Sequence, residues 1–569
     1  MNEWSVIILI LALSVLLAWH TGKYIAGVYG GEKSLLDGIA PFENLIFRIC
    51  KIDSSRQMNW KEWLVAFFTI HILWLLWGFG ILMSQHLLPF NPARIPAMEW
   101  TLALNSAVSF LTSTNLQHYS GETGASYFSQ IMVFMFLQFV SAAASLAAGM
   151  AIIRGIKERS TGHLGNFYKD FLLSLTRIVI PICFVVSVLF LFRGVPMTFK
   201  GPDTIVSLQG DTVQVARGPV AAFLSVKELG SNGGGFFGTN DAHPFENPDT
   251  YTFILHSIIV FLLPMAFVFM IGFYLKQMKF SRMIFIVMFI GFLLITLPII
   301  QQEIKGNPAI TNMGILNKAG NMEGKEQRFG AVLTAFYCGI NVVIPAGTTA
   351  GMHDSFMPLS GVFMLIGMQT DAFFGGLGTG WINMFIFVII AIFISTLMIG
   401  RTPELLGKKI TLREMQLATA VILVQPLFCL GMAAIAAYVF VHYPGSNLAL
   451  GWLSNTKEHG FTTMLYEFIS AFAGNGSEFA GLGNNTAFWN LTTIPVMLAG
   501  RFIPIAGSII IAGFLASSKY TPPSYGTLKA DSVSFAVFLF FVIMVVQVLC
   551  LFPSLALGPI GEHVQLRSF

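Results

Sequence analysis

Four stretches of small polar residues recur along the chain: Thr112-Ser113-Thr114-Asn115-Leu116-Gln117, Gly230-Ser231-Asn232-Gly233-Gly234-Gly235, Ala346-Gly347-Thr348-Thr349-Ala350-Gly351 and Ala473-Gly474-Asn475-Gly476-Ser477. Asn115, Gly233, Gly347 and Gly476 occupy matching places, so the chain repeats with a period of about 120 residues. Backbone carbonyls dominate the chemistry such stretches offer, and rows of carbonyls can replace the water shell of a cation. Consecutive carbonyls face one axis only if some residues take positive φ, which costs glycine almost nothing. Each stretch follows a half-length apolar run (101–111, 219–229, 331–344 and 461–472), and a helix there would turn its partially negative C-terminal end toward the cation. One Gly/Asn/Ser cluster is ordinary turn chemistry; four at even spacing point to cation conduction. Gly233-Gly234-Gly235 does not read as a phosphate loop, because no GxxxxGK[ST] accompanies it.

These loops need a scaffold, and composition names it. Of 569 residues, 55% are hydrophobic and 11% charged, whereas a water-soluble domain carries about 25% charge. A cytosolic globular enzyme is excluded. Apolar runs at 4–19, 61–83, 127–153, 171–193, 252–275, 282–301, 381–400, 416–441, 487–516 and 532–555 are each long enough to cross a membrane as a helix. More than half of the 32 Lys and Arg fall in the short loops 21–61, 154–170, 275–282, 401–413 and 517–531, which places those loops in the cytoplasm and both termini outside. The half-length runs then all lie on the outer side as re-entrant segments, since irregular backbone at membrane depth must line protein or a water-filled cavity. The fold expected is an all-α membrane protein of about ten transmembrane helices, with four pseudo-repeats of helix, re-entrant pore loop and helix around one central pore. The units are 1–60 (first helix and cytoplasmic loop), 61–153, 171–275, 282–400 and 416–516 (repeats 1 to 4) and 517–569 (last helix and tail). The net charge of +4 forms no basic face, so lipid and not nucleic acid is the expected surroundings. Cys50, Cys183, Cys338, Cys429 and Cys550 form no CxxC pair and indicate neither a disulfide framework nor zinc.

At Gly230 to Phe237, Asn240-Asp241-Ala242-His243-Pro244-Phe245-Glu246-Asn247-Pro248, Met352-His353-Asp354-Ser355-Phe356, Gly400-Arg401-Thr402-Pro403-Glu404, Gly407-Lys408-Lys409 and Pro553-Ser554-Leu555-Ala556-Leu557-Gly558-Pro559, the sequence resembles the potassium-binding A components of Kdp-type potassium-transporting ATPases. These belong to the superfamily of potassium transporters built from four channel-like repeats. The resemblance implies K+ as the transported ion and a bacterial inner membrane. It implies three partners as well, the ATP-hydrolysing P-type B component and the smaller C and F components of the Kdp complex. It also implies the filter strands: Ser113, Thr114 and Asn115 with Gln117 just beyond, then Ser231, Asn232 and Gly233, and, in the fourth, Gly474, Asn475 and Gly476. The family often reads Ser-Cys-Gly where this chain has Pro345-Ala346-Gly347, and the third strand is set at Ala346, Gly347 and Thr348. The chain holds no Asp-Lys-Thr-Gly-Thr phosphorylation motif and no nucleotide loop, so no nucleotide or organic cofactor and no ATP hydrolysis are expected of it. A self-sufficient potassium channel or symporter of the same superfamily is the competing reading.

Two further features stand near the loops. The run 361–400 is twice a span and is broken by Gln369-Thr370-Asp371 and by Gly375-Gly376-Leu377-Gly378-Thr379-Gly380. Interrupted helices in transporters line ion routes, so the break, with Gly376 and Asp371, is expected to gate the exit. Arg501 lies mid-span, where a charge costs about 2.5 to 3.5 kcal/mol, and it must face protein or water. A cation there either bars direct leakage or pairs with carbonyls at a half-helix end. No strand carries Gly-Tyr-Gly, and one glycine per strand suits a single tightly held ion better than a queue.

Overall fold

The computed structural model describes residues 2–34, 36–315, 318–377, 380–400, 402–446, 451–520 and 529–567. Gly378 and Thr379 of the expected gate, and Arg401, lie outside them. Ten helices among the described residues are long and apolar enough to cross a membrane, from Glu3–Gly30 to Val533–Leu566. The protein is a multi-pass membrane protein, mostly helical, with only two small two-stranded hairpins among the described residues, Asp203–Val206 with Thr212–Val215 and Glu404–Leu405 with Lys408–Lys409. Capping sets several starts: the Asn59 side chain accepts from Lys61 and Glu62 N–H while Glu62 answers to Asn59. Asp249 and Thr252 do the same for Thr250–Leu275.

The middle of the chain repeats one motif four times. An outer span (Trp60–Ser84, Phe167–Phe192, Met278–Lys305, Leu412–His442) leads to a short pore helix (Trp100–Leu111, Val220–Leu229, Gly330–Val343, Lys457–Ala473). A polar strand follows, and then an inner span: Tyr127–Lys157, Thr250–Leu275 and Ala487–Ser517 in the first, second and fourth repeats. In the third the inner span is split into Pro358–Thr370 and Gly380–Ile399. Asp371 and Phe374 take positive φ in the split (34° and 62°), conformations a continuing helix does not contain. The inner spans are wrapped by protein, whereas Leu412–His442 and Val533–Leu566 leave most of their apolar surface uncovered by the rest of the described chain. Glu3–Gly30 packs on Thr250–Leu275 through Gly22, where any side chain would meet the Ala266 carbonyl. Glu3 reaches the pocket of Arg328, and Glu562 is bonded to His459, so both chain ends lie on the side from which the pore helices descend.

Candidate functional site

The four polar strands meet in a closed ring. In each repeat a pore-helix carbonyl caps the strand's middle residue: Ser109 accepts from Thr114 N–H at 3.0 Å, Lys227 from Asn232 at 2.9 Å, Asn341 from Ala346 at 3.0 Å and Ser470 from Asn475 at 3.0 Å. These equivalent bonds fix the register without reference to sequence. Residues either side of the middle take left-handed backbone: Ser113 and Asn115 (63°, 57°), Ser231 and Gly233 (50°, 81°), Gly474 and Gly476 (69°, 87°), and in the third strand Gly347 (66°).

The third strand is therefore Pro345, Ala346 and Gly347, one residue earlier than expected. Proline fixes φ near −65°, so Pro345 stands where the other strands turn left-handed, which hides the strand from a search for small residues. Thr348 falls one place beyond the ring and its carbonyl turns back to accept from Asn341 Nδ2 (2.5 Å). Leu116 and Ser477 do likewise, their carbonyls accepting from Ser109 Oγ (2.9 Å) and Ser470 Oγ (2.6 Å).

Ring closure shows at the four seams. A Cβ on Gly233 would collide with the Ala346 carbonyl, one on Gly347 with that of Asn475, and one on Gly476 with that of Thr114. At the remaining seam Asn115 stands in place of glycine, and its Nδ2 donates to the Asn232 carbonyl at 2.8 Å. The order is repeat 1, 2, 3, 4 and back to 1, with the middle carbonyls at the seams. Side chains brace it: Ser113 Oγ donates to Asn232 Oδ1 (2.5 Å) and Asn475 Nδ2 to Asn341 Oδ1 (2.7 Å). Gln117 clamps Gly235, accepting from its N–H (2.8 Å) and donating to its carbonyl (3.0 Å), while its own N–H donates to Glu478 (3.0 Å).

On the pore-helix side the ring opens into a vestibule of about 680 Å³ whose walls include Gln117, Asn240, His243, Glu326, Gly347, Gly476 and Glu478. On the other side lies a cavity of about 10 Å³, lined by Ser113, Ser231, Pro345, Gly376, Phe472, Gly474 and Arg501. Gly376 sits against the carbonyls of Ile344 and Pro345, so the broken span touches the third strand directly. Arg501 is buried and donates through Nη2 to Ser145 Oγ and the Ser141 carbonyl. Asp371 is not at the ring. It accepts from Asn383 Nδ2 (2.8 Å) and lines a second small pocket with Gln425, Gln547 and Phe472; Phe472 is common to both pockets.

Two clusters of charge escaped the sequence reading. Lys227, in the second pore helix, is fully buried and bonds Asp241 and Glu246 (both 2.7 Å), with Glu228 at 3.3 Å. Asp241 also accepts from Tyr337 Oη (2.7 Å) and Thr348 Oγ1, and Glu228 lies 3.1 Å from His256 Nδ1. Buried charges persist only when paired, and this knot ties the loop after the second strand to the third. In the first and fourth repeats, His118 Nε2 lies 2.9 Å from Glu467 Oε1, with Glu478 beside them. Burial and then the Glu467 charge push the Glu478 carboxyl up to about 8. Ionisable residues inside apolar re-entrant runs were the available signal: Lys227, Glu228 and Glu467 are such residues.

A family model described as potassium-transporting ATPase A subunit matches residues 8–564. The chain belongs to that family. It is 50% identical to a potassium-transporting ATPase potassium-binding subunit of Flavobacterium johnsoniae, over 98% of each chain. It is 45% identical to the protein of that name from Bacteroides fragilis, again over 98% of each. Among solved structures it is similar to the potassium transporter TrkH from Vibrio parahaemolyticus, with a TM-score of 0.50 at 16% identity, over 90% of this chain and 98% of that one. That likeness shows a shared fold.

Proposed function

We propose that this chain is the potassium-binding, channel-like subunit of an ATP-driven potassium importer, and that the four-strand ring is its selectivity filter. The observation that carries the reading is the seam geometry: four middle carbonyls, Thr114, Asn232, Ala346 and Asn475, each lodged against the left-handed residue of the adjacent strand. Carbonyls held in a ring replace hydration water at little reorganisation cost, and the pore-helix termini add negative potential. The filter comprises Ser113, Thr114 and Asn115; Ser231, Asn232 and Gly233; Pro345, Ala346 and Gly347; and Gly474, Asn475 and Gly476, with Gln117 bracing its mouth.

The vestibule faces the outside of a bacterial inner membrane, with both termini on that side, in keeping with the crowding of Lys and Arg in the opposite loops. Below the ring Arg501 bars the straight route, and Gly376 with the break beside it is the gate. The ion leaves sideways past Phe472 toward Asp371, whose carboxylate attracts it. It passes on to the P-type B component that hydrolyses ATP, in a complex with the C and F components. The repeats act as the units 61–153, 171–275, 282–400 and 416–516.

Potassium-stimulated ATP hydrolysis by the chain purified with its partners tests this. Native complex is expected to be stimulated at low K+, and Gly233→Asp, which places a carboxylate in the ring, to need far more. An isolated chain that passes K+ through vesicles with no co-purifying ATPase would make it a channel or symporter instead.

A further inference from the structure

The ion path makes no use of the His118 cluster, and its hydrogen bonding is unbalanced. His118 Nδ1 lies 2.7 Å from Asn490 Oδ1, and Asn490 is held in that orientation because its Nδ2 donates to Thr101 Oγ1 (3.0 Å). The Nδ1 proton therefore points at Asn490. In the neutral ring the Nε2 lone pair then faces Glu467 Oε1 at 2.9 Å, two acceptors set against each other. Something positive must sit on or between them, a proton or a metal ion. The other Glu467 oxygen, Oε2, is buried with no hydrogen-bond partner, and the residue is wholly enclosed. Glu478 brings a second carboxylate, and one ligand atom from each of the three side chains lies within 4.8 Å of the others.

One imidazole nitrogen and two carboxylates, with Glu478 also lining the vestibule, are donor types that Zn2+ takes, and three of them leave a fourth tetrahedral position for water. Imidazole disfavours Mg2+ and Ca2+, which take oxygen. The Nδ1–H to Asn490 bond is the outer support that metal-binding histidines need. We propose that His118, Glu467 and Glu478 bind Zn2+ or a similar first-row divalent cation from the vestibule, and that occupancy slows potassium entry. The coupling runs through bonds already described: Glu478 holds the Gln117 N–H, and Gln117 holds both edges of Gly235. A metal that draws in Glu478 loosens this brace and sets two positive charges beside the filter mouth. The second half rests on the ring being a potassium filter; the first does not.

The test is 65Zn equilibrium dialysis of the purified full-length chain with its native partners, beside potassium titrations of ATP hydrolysis with and without micromolar Zn2+. Native protein should take up about one Zn2+ per chain, with an imidazole in its X-ray absorption shell, and millimolar Mg2+ should not displace it. His118→Gln and Glu467→Gln should each weaken uptake at least tenfold, and Glu467→Gln should abolish the zinc-induced rise in half-saturating K+. Glu478→Gln, at the vestibule edge, serves the same purpose if either inner variant elutes or melts abnormally. Uptake equal in native and substituted proteins, or no stoichiometric uptake at all, overturns the site. Normal zinc uptake in a native complex that never responds to K+ would instead discard the filter reading and leave the site standing.

Discussion

The two sides of the ring differ by far more than their shared fourfold plan requires. Toward the vestibule there are about 680 Å³ of space and polar loops; toward the floor about 10 Å³, roughly the room one water needs. The charges differ as well. Glu326 lines the wide side together with Lys325, which is paired to Glu303, and a buried arginine lines the narrow one. Under the proposed function a hydrated cation would approach the ring from the wide side and meet, beyond it, a like charge in a space with room for about one water. The contrast suits a subunit that takes up an ion and hands it on, and it is poorly suited to a freely conducting pore.

The support of the wide side should fail most severely. Replacing Lys227 with Met leaves Glu228, Asp241 and Glu246 buried without their cation, a loss of about 3 to 5 kcal/mol. Thermal unfolding of the purified protein should show it as the most destabilised variant, and a native-like melt would mean the knot does not hold the ring. Next, Gly233→Ala places a methyl against the Ala346 carbonyl at a φ of 81°. Half-saturating K+ should rise at least about tenfold, equivalent to about 1.4 kcal/mol, and an unchanged value would remove Gly233 from the filter.

On the narrow side, Arg501→Gln deletes the charge while keeping a hydrogen-bonding side chain. ATP-independent potassium leak into vesicles should increase several-fold, and an unchanged leak in intact complex would show that the arginine only braces Ser141 and Ser145. The smallest effect belongs to His243, stacked on Phe237 at 3.8 Å in the vestibule wall. Burial first, then Arg328, lowers its pKa to about 4. Its unfolded form takes up a proton at higher pH than the folded form, so native stability is lost as pH falls from about 6.5 toward 4. His243→Phe keeps the stack and should flatten the fall in melting temperature across that window; the same slope in both proteins would assign it elsewhere.

The ten spans and the four re-entrant helices were legible in the sequence because both depend on run length and apolarity alone. Left-handed backbone in three of the polar stretches was legible too, since their small residues mark the need for it. Pro345 broke that signal in the third, where the Asn341 to Ala346 bond, the left-handed Gly347 and the seams at Gly233 and Gly347 reveal the shift. Asp371 read as part of the exit from its place in a broken span, but its position behind Phe472 depends on how the fourth repeat packs. The His118–Glu467 pair spans 349 residues, a separation no local pattern encodes. Asn115 lines up with three glycines in the sequence, and its amide makes one seam of the ring chemically different from the others.

The central claim is that the ring binds the transported ion and the floor holds it there. Anomalous diffraction from crystals of the complex soaked in Rb+ or Tl+ tests it most directly. The account predicts one dominant peak on the axis among the carbonyls of Thr114, Asn232, Ala346 and Asn475, and none in the cavity beside Arg501. A row of equally occupied peaks continuing past Arg501, or a strongest peak away from the ring, would contradict it.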